Sequence, residues 1–240
     1  MATVIDGIEA LEKKLHALAN AQFDSPEYRR ILGIKWTKAR TCLYLVQRAY
    51  FVLNRRDCWA YVQAAAPFDV KQLVWDHEKE ELMGDAERGV DNHWTLGMKE
   101  GEAVGLTPDD FVKTSPLPGT AACCYAWIHL AKDRPWLEAM PVSAALEMSN
   151  SDEIIKGGCF SRRVAEKMRD DAGIPFSKQP NNTEHMEADV RHANFLMEVV
   201  RRHARTEEAQ AQVLKGAIET WRIERAFKGL LGEAMASCAE

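Results

Sequence analysis

The chain has 240 residues, of which 46% are hydrophobic and 28% charged, and its net charge is −5 at pH 7. This composition indicates a globular protein with one sizeable core, and we expect a single domain over residues 1–240. The acidic balance disfavours nucleic acid or an anionic membrane as a partner, and no apolar run is long enough for a transmembrane helix.

Helical periodicity dominates the whole chain, with apolar residues recurring at three- and four-residue intervals. In chain order, helices are predicted over residues 5–21, from Ser25-Pro26 onward, and over 37–53, 70–83, 91–104, from Thr107-Pro108 onward, 120–132, 136–149, 152–173, 182–204 and 207–236. Alternating β-branched segments are few. We therefore predict an all-α protein built as a helical bundle, an architecture that forms sites in its core from facing helices.

Capping residues and glycines predict several helix boundaries. Ser25 followed by Pro26 is typical of an N-cap with proline in the first turn. After Pro67, Asp69 is predicted to cap the next helix, and Asn181-Asn182-Thr183 to cap the helix that follows. The stretch Gly84–Gly89 predicts a loop or a helix break.

The most informative motif is His185-x-x-x-Asp189-x-x-His192. Offsets of four and three residues place side chains on one face of an α-helix. Two imidazoles and a carboxylate on one face suit a first-row metal, Fe(II) especially, with Mn and Zn as alternatives. The competing interpretation is a solvated helix face on which the histidines occur by chance.

A site for two metals needs about six protein ligands, more than one helix supplies. Further candidate ligands lie in other helices. Glu81 ends the acidic run that begins at His77, and His93 follows the Gly84–Gly89 break. Glu147 lies among apolar residues, where a carboxylate is costly to bury unless it is paired or metal-bound. A solvent-exposed glutamate at a helix end is the alternative for Glu147.

The segment Thr183–Ala193 strongly resembles the last metal-binding helix of the CADD-type proteins (Chlamydia protein associating with death domains). These belong to the haem-oxygenase-like di-metal oxidases and oxygenases, which are related to the TenA and PqqC folds. Other landmarks of that family occur in the same order between about residues 23 and 205. They are Tyr28 after Ser25-Pro26, Glu81-x-x-Gly84, His93, Gly105-Leu106-Thr107-Pro108 and Glu147.

The resemblance implies a haem-oxygenase-like bundle of about seven core helices that binds two Fe(II) ions, or an iron–manganese pair, and uses O2 as co-substrate. The implied ligands are Glu81, His93, Glu147, His185, Asp189 and His192. It also implies an oxygenase or oxidase acting on a small, amino-acid-derived molecule in a biosynthetic pathway. An external electron donor and a homodimer are compatible with this interpretation.

Two departures from the family pattern matter. Glu81 and His93 are twelve residues apart, which is about 120° around an unbroken helix, so Gly84–Gly89 must loop out if both are ligands. Glu78, Glu80 and Asp85 remain alternatives to Glu81. The family's proline after its mid-chain glutamate is missing here, and Lys156 is close to the position of the family's lysine without aligning with it.

Tyr28 and Lys156 are the candidate catalytic residues for a self-sacrificing reaction, since in CADD-type proteins the protein's own tyrosine becomes 4-aminobenzoate. His77 is a candidate substrate contact or hydrogen-bond donor to a ligand, one turn before Glu81. Trp75 and Trp94 flank the proposed ligands and are candidates to line an apolar pocket. Candidates to hold a substrate carboxylate are Arg40, Arg48 and Lys156.

Three alternatives to a conventional di-metal oxygenase remain open: the CADD-type 4-aminobenzoate synthase that consumes Tyr28, a metal-free TenA- or PqqC-like enzyme, and a non-catalytic binding bundle. The N-terminal segment lacks the apolar stretch of a signal peptide, and the six cysteines show no metal-binding spacing. These features predict reduced thiols and a cytoplasmic location.

Overall fold

The computed structural model describes residues 4–238, except for the side chains of residues 4–6 and 187–191. Within this part the chain is all-α, as predicted, and extended pairing is limited to one isolated bridge between Asp85 and Val90. The helices are α1 (Val4–Phe23), α2 (Pro26–Gly33), α3 (Lys38–Ala65), α4 (Phe68–Met83), α5 (His93–Glu102), α6 (Pro108–Lys113), α7 (Pro118–Asp133), α8 (Trp136–Ala139), α9 (Pro141–Met148), α10 (Phe160–Ala172), α11 (Pro180–His192), α12 (Phe195–His203) and α13 (Glu207–Ser237), with a 3₁₀ turn at Phe176–Lys178.

The two longest helices, α3 and α13, organise the bundle. Helix α13 packs against α1, α2, α7, α8 and α9, whereas α3 packs against α4, α5, α7 and α9. Large aromatic side chains fill the core of the bundle, and Trp59, Trp127, Trp221 and Phe227 are almost completely buried. No helix in the described residues is long and apolar enough to cross a membrane.

Several predicted helices have different limits in the structure. The helix predicted over 152–173 is wrong in its first part, because Gly157 and Gly158 adopt positive φ angles and α10 begins only at Phe160. The stretch predicted as 136–149 is divided into α8 and α9 at Pro141, and the stretch 182–204 into α11 and α12.

Two predicted caps are also wrong. Helix α4 begins directly after Pro67, and the carboxylate of Asp69 instead lies 2.9 Å from Nε2 of His203. Helix α11 already begins at Pro180, so Asn182 lies inside its first turn. By contrast, Ser25 caps α2 as predicted, with its side chain accepting the backbone N–H of Tyr28.

The loop between α4 and α5 brings the end of one helix back to the start of the next. Gly84 has a φ of 74°, and a Cβ there would lie 2.4 Å from the carbonyl oxygen of Val90. Asp85 and Val90 then exchange two backbone hydrogen bonds of 2.8 Å. The Asn92 side chain accepts the backbone N–H of Thr95 and so begins α5 at His93. The predicted looping-out of Gly84–Gly89 is therefore confirmed.

A buried carboxylate from α5 anchors the start of α11. Oε1 of Glu100 accepts the backbone N–H of Asn182 at 2.6 Å, and Oε2 lies 3.8 Å from the Arg48 guanidinium. Burial raises the pKa of Glu100 to about 7, although Arg48 and the backbone hydrogen bonds oppose this shift. The first turn of α11 thus depends on a residue far away in sequence.

Gly216 allows α13 to approach α8, and we expect Gly216→Ala to destabilise the protein. A Cβ at this position would lie 1.8 Å from the carbonyl oxygen of Glu138, so the helices would have to separate. The expected loss is about 3 kcal/mol of unfolding free energy in denaturant melts. Gly97→Ala in α5 is the matched control, because no atom lies within 4 Å of its Cβ position. That substitution should be neutral or stabilise the protein, and equal losses in both variants would contradict the packing argument.

Glu100 should make the stability of the metal-free protein depend on pH. Its pKa is raised from 4.5 to about 7, so the folded state holds this proton more tightly than the unfolded chain does. Stability contributed by the proton is present below pH 4.5 and is lost as pH rises towards 7, by up to about 3 kcal/mol. Glu100→Gln should therefore gain stability relative to the parent protein between pH 5 and pH 8 in denaturant melts. A constant difference between the two proteins over this range would contradict the assignment.

Candidate metal centre

Six side chains with metal-binding atoms converge from four helices. Helix α4 supplies His77 and Glu81, α5 supplies His93, α9 supplies Glu147, and α11 supplies His185 and His192. Each of these residues is at most 7% exposed. Charged and polar groups are costly to bury without partners, so a cluster of six buried ionisable side chains indicates a functional site.

Glu81 lies at the centre of the group. Its Oε2 is 2.9 Å from Nδ1 of His93, and its Oε1 is 3.9 Å from Nδ1 of His192. The ring of His93 lies 4.5 Å from that of His185, and the ring of His192 lies 4.4 Å from that of His77. The carboxylate of Glu81 therefore lies between two pairs of histidines.

One half of the site is compact enough for a single ion. His77, Glu81, Glu147 and His192 each offer one atom that lies within 4.8 Å of the others. His77 Nε2 is 3.3 Å from Glu147 Oε1. The sequence analysis treated His77 as a substrate contact or a partner of a ligand, whereas the structure places it among the potential ligands. The four-residue offset from His77 to Glu81 is the signal in the sequence that could have indicated this.

Two adjacent arginines of α3 neutralise the carboxylates. Arg55 forms an ion pair with Glu147, and Nη1 of Arg56 lies 2.5 Å from Glu81 and 3.2 Å from Glu78. Sequence reasoning missed both, because nothing in the local pattern of α3 links it to α4 or α9.

The arginines keep both acids ionised. Burial would raise the pKa of Glu81, but the charges of Arg56 and His93 hold it well below its usual value. Burial likewise opposes ionisation of Glu147, whereas Arg55 and the hydrogen bond with His77 lower its pKa. Both acids are therefore available as anionic ligands.

The histidines of α11 are held neutral, as metal binding requires. Burial and the neighbouring His93 hold the pKa of His185 well below its usual value, and burial also lowers the pKa of His192. Nδ1 of His185 lies 2.7 Å from the backbone oxygen of Asn181. Because a carbonyl oxygen only accepts, Nδ1 carries the proton and Nε2 is left as the ligand atom.

His77 behaves differently. Burial would lower the pKa of His77, but hydrogen bonds with Glu147 and Glu78 raise it to about 9. It therefore carries a proton at neutral pH, and a metal ion at this point would replace that proton. Buried imidazole nitrogens combined with ionised carboxylates are a donor set that fits iron.

The remaining candidates for the ligand of α4 have other roles in the structure. Glu78 pairs with Arg56 and His77, and Oε2 of Glu80 lies 3.4 Å from His192 Nε2 at the edge of the site. Oδ1 of Asp85 accepts the backbone N–H groups of Glu87 and Arg88 within the loop. The side chain of Asp189 lies outside the described residues.

The structure does not bring every predicted residue to the site. Lys156 is exposed in the loop before α10, and Trp75 is 67% exposed on the outer face of α4. Trp94 is half-buried and, together with His93, lines a small apolar cavity of about 20 Å³. Tyr28 is buried between Phe23 and Phe160 and faces Glu224 of α13. Burial, and next the charge of Glu224, raise the pKa of Tyr28 well above its usual value.

A second, polar cavity adjoins the ligands and has a volume of about 30 Å³. Glu81, His93 and His185 form one part of its wall. Helix α3 contributes Arg48, one of the predicted carboxylate-binding residues, whereas Arg40 donates to the backbone oxygen of Met235 instead. Helix α13 contributes Glu224 and Lys228, which the sequence analysis did not single out.

Comparison with known proteins finds relatives in sequence and in fold. The chain is 25% identical over 219 residues to a pyrroloquinoline-quinone synthase of Bradyrhizobium diazoefficiens, covering 89% of this chain and 80% of that protein. Its fold is similar to that of a CADD-like protein of unknown function from Nostoc punctiforme, with a TM-score of 0.75, 17% identity and coverage of 96% and 99% of the two chains. A TenA homologue from P. horikoshii gives a TM-score of 0.65 at 13% identity, with coverage of 97% and 99%.

The structures of the Nostoc and P. horikoshii proteins confirm only the predicted fold, because their sequence identity to this chain is low. The sequence profile of the iron-containing redox enzymes, however, matches residues 42–225, which include all of the clustered histidines and carboxylates. The protein therefore belongs to the haem-oxygenase-like family of iron-containing redox enzymes.

Proposed function

We propose that the protein is a non-haem di-iron, or iron–manganese, enzyme that uses O2 to oxidise a small substrate. The observation that carries this proposal is the position of Glu81, whose two oxygens face His93 on one side and His192 on the other. A carboxylate between two histidine groups is suited to contribute its oxygens to a site that would hold two metal ions. Bound iron would supply the redox chemistry with O2.

The proposed ligand set is Glu81, His93, Glu147, His185, Asp189 and His192, with His77 as an additional ligand in the half of the site next to Glu147. Membership of an iron-containing redox family supports this set. So does the charge state of the side chains, because the carboxylates are ionised and the histidines of α11 are neutral before any ion binds.

The surrounding residues orient the ligands and exclude water. Arg55 and Arg56 hold the carboxylates of Glu147 and Glu81, and the backbone oxygen of Asn181 orients the ring of His185. The rings of Trp59 and Phe195 pack against His77 at 5.2 and 5.8 Å. An apolar wall on this side protects a reactive centre from bulk solvent.

The proposed substrate is a small, amino-acid-derived molecule that enters the polar cavity, and an external donor would supply any electrons that the substrate does not. The relative from Bradyrhizobium is named as the synthase of a quinone, which supports a role in biosynthesis.

Anaerobic titration with Fe(II) should give close to two irons per chain, measured by metal analysis after gel filtration, and O2 consumption should follow on exposure to air. The His185→Ala variant should bind iron at least about tenfold less tightly, because the substitution removes a ligand nitrogen that the backbone oxygen of Asn181 orients.

His129→Ala is the matched control for this experiment. His129 is exposed and pairs with Asp133 within α7, so its loss should leave iron uptake and O2 consumption unchanged. If the parent protein binds less than one iron per chain and His185→Ala does not change that value, the metal assignment is wrong. This result would favour a metal-free TenA- or PqqC-like enzyme.

A self-sacrificing reaction at Tyr28 is the second candidate, because this tyrosine is completely buried in the position that the CADD resemblance implies. Lys156, the lysine closest to the position of the family's lysine, is exposed on a loop. For a conventional oxygenase we expect Tyr28→Phe to retain O2 consumption over many turnovers. Intact-mass analysis of the parent protein after reaction checks this, and a mass loss at Tyr28 that is missing in the variant would favour the self-sacrificing reaction.

A further inference from the structure

Lys228 of α13 is a buried cation that points into the cavity beside the proposed iron ligands. It is 4% exposed and lines the same cavity as Glu81, His93 and His185. Its Nζ is 3.8 Å from Glu224 Oε1 and 3.9 Å from the centre of the Phe160 ring. A separation of 3.8 Å is too long for a hydrogen bond, so neither contact supplies the acceptor that a buried ammonium requires.

Four cations line this cavity, and two of them have their nearest carboxylate beyond hydrogen-bonding distance, at 3.8 Å. Its wall carries four cationic side chains and two acids; the cations are Arg48, Arg55, Arg56 and Lys228, and the acids are Glu81 and Glu224. Arg55 and Arg56 are already paired with Glu147 and Glu81. Iron bound by the same carboxylates would add further positive charge, which a buried site must compensate.

Glu224 compensates Lys228 only in part. Its carboxylate lies 3.8 Å from the ammonium and also interacts with the hydroxyl of Tyr28, and burial raises its pKa. Burial lowers the pKa of Lys228 to about 8, which still leaves most of the ammonium charged at pH 7. The ammonium therefore retains hydrogen-bonding capacity for an anion in the cavity.

We propose that Lys228 binds the carboxylate of the substrate, and that the substrate is a short-chain organic acid. This proposal rests on the proposed function in one respect: the reacting part of the same molecule would face Glu81, His93 and His185. The cavity has a volume of only about 30 Å³, which excludes a long fatty chain and favours a short acid.

The experiment compares propionate with propionamide, which has nearly the same shape but no charge. Isothermal titration is carried out on chelator-treated, metal-free protein and again on Fe(II)-loaded protein under anaerobic conditions. We expect metal-free protein to bind propionate at least about tenfold more tightly than propionamide, as a hydrogen bond to a charged group is worth that much.

Lys228→Met keeps the apolar length of the side chain and should remove this preference. Lys215→Met is the matched control, because Lys215 lies on the same helix but is exposed and pairs with Glu138. Should Lys228→Met fold poorly with Glu224 left uncompensated, the double variant Glu224→Gln/Lys228→Met removes both charges at similar volume. It too should bind propionate no better than propionamide.

The outcomes separate this inference from the proposed function. Loss of the preference in Lys228→Met but not in Lys215→Met supports it, even if the protein takes up no iron. Propionate binding that requires Fe(II) and survives Lys228→Met would show that the acid binds the metal, which overturns the role of Lys228 and leaves the oxygenase proposal intact. Equal binding of propionate and propionamide by the parent protein also overturns it.

Discussion

The burial of two carboxylates side by side is the constraint on which this structure depends. Glu81 and Glu147 come from α4 and α9, and each would strongly resist ionisation in an apolar interior. Arg55 and Arg56 reverse that tendency from a single turn of α3. Because consecutive residues on a helix project about 100° apart, two neighbouring arginines can reach acids on two different helices. Helix α3 therefore joins α4 and α9 through these two ion pairs.

The same constraint explains why a small loop between α4 and α5 is so closely specified. His93 reaches Glu81 only because the chain turns back within a few residues, and Gly84 is the position at which a side chain would collide with the carbonyl oxygen of Val90. The start of α11 is fixed in a comparable way by Glu100, whose side chain accepts the backbone N–H of Asn182. His185 lies one turn later and takes its orientation from Asn181. Ligands from separate helices are thus positioned by backbone contacts at the ends of those helices.

Sequence reasoning succeeded where the information is local. The helical spacing of His185 and His192, the turn after Gly84 and the cap at Ser25 depend on residues within a few positions of each other, and the structure agrees with each. It failed where a residue's role depends on a distant helix. Nothing near Arg55, Glu100 or Lys228 in the sequence indicates that they would meet carboxylates, a helix terminus or a cavity. The predicted helix over 152–173 failed for a different reason, since its apolar spacing concealed the interruption by Gly157 and Gly158.

The charge balance also bears on how the site would respond to metal. Without an ion, the arginines and the proton on His77 neutralise the carboxylates, and the ligand atoms already lie close together. The first cation would therefore displace a proton from ligands that already lie close together instead of ordering an unformed site, and little conformational free energy is spent. The positive charge that iron adds, however, raises the electrostatic potential in the cavity where Lys228 lies. An arrangement of this kind favours an anionic substrate most strongly after the metal has bound, which would couple metal loading to substrate affinity through charge alone.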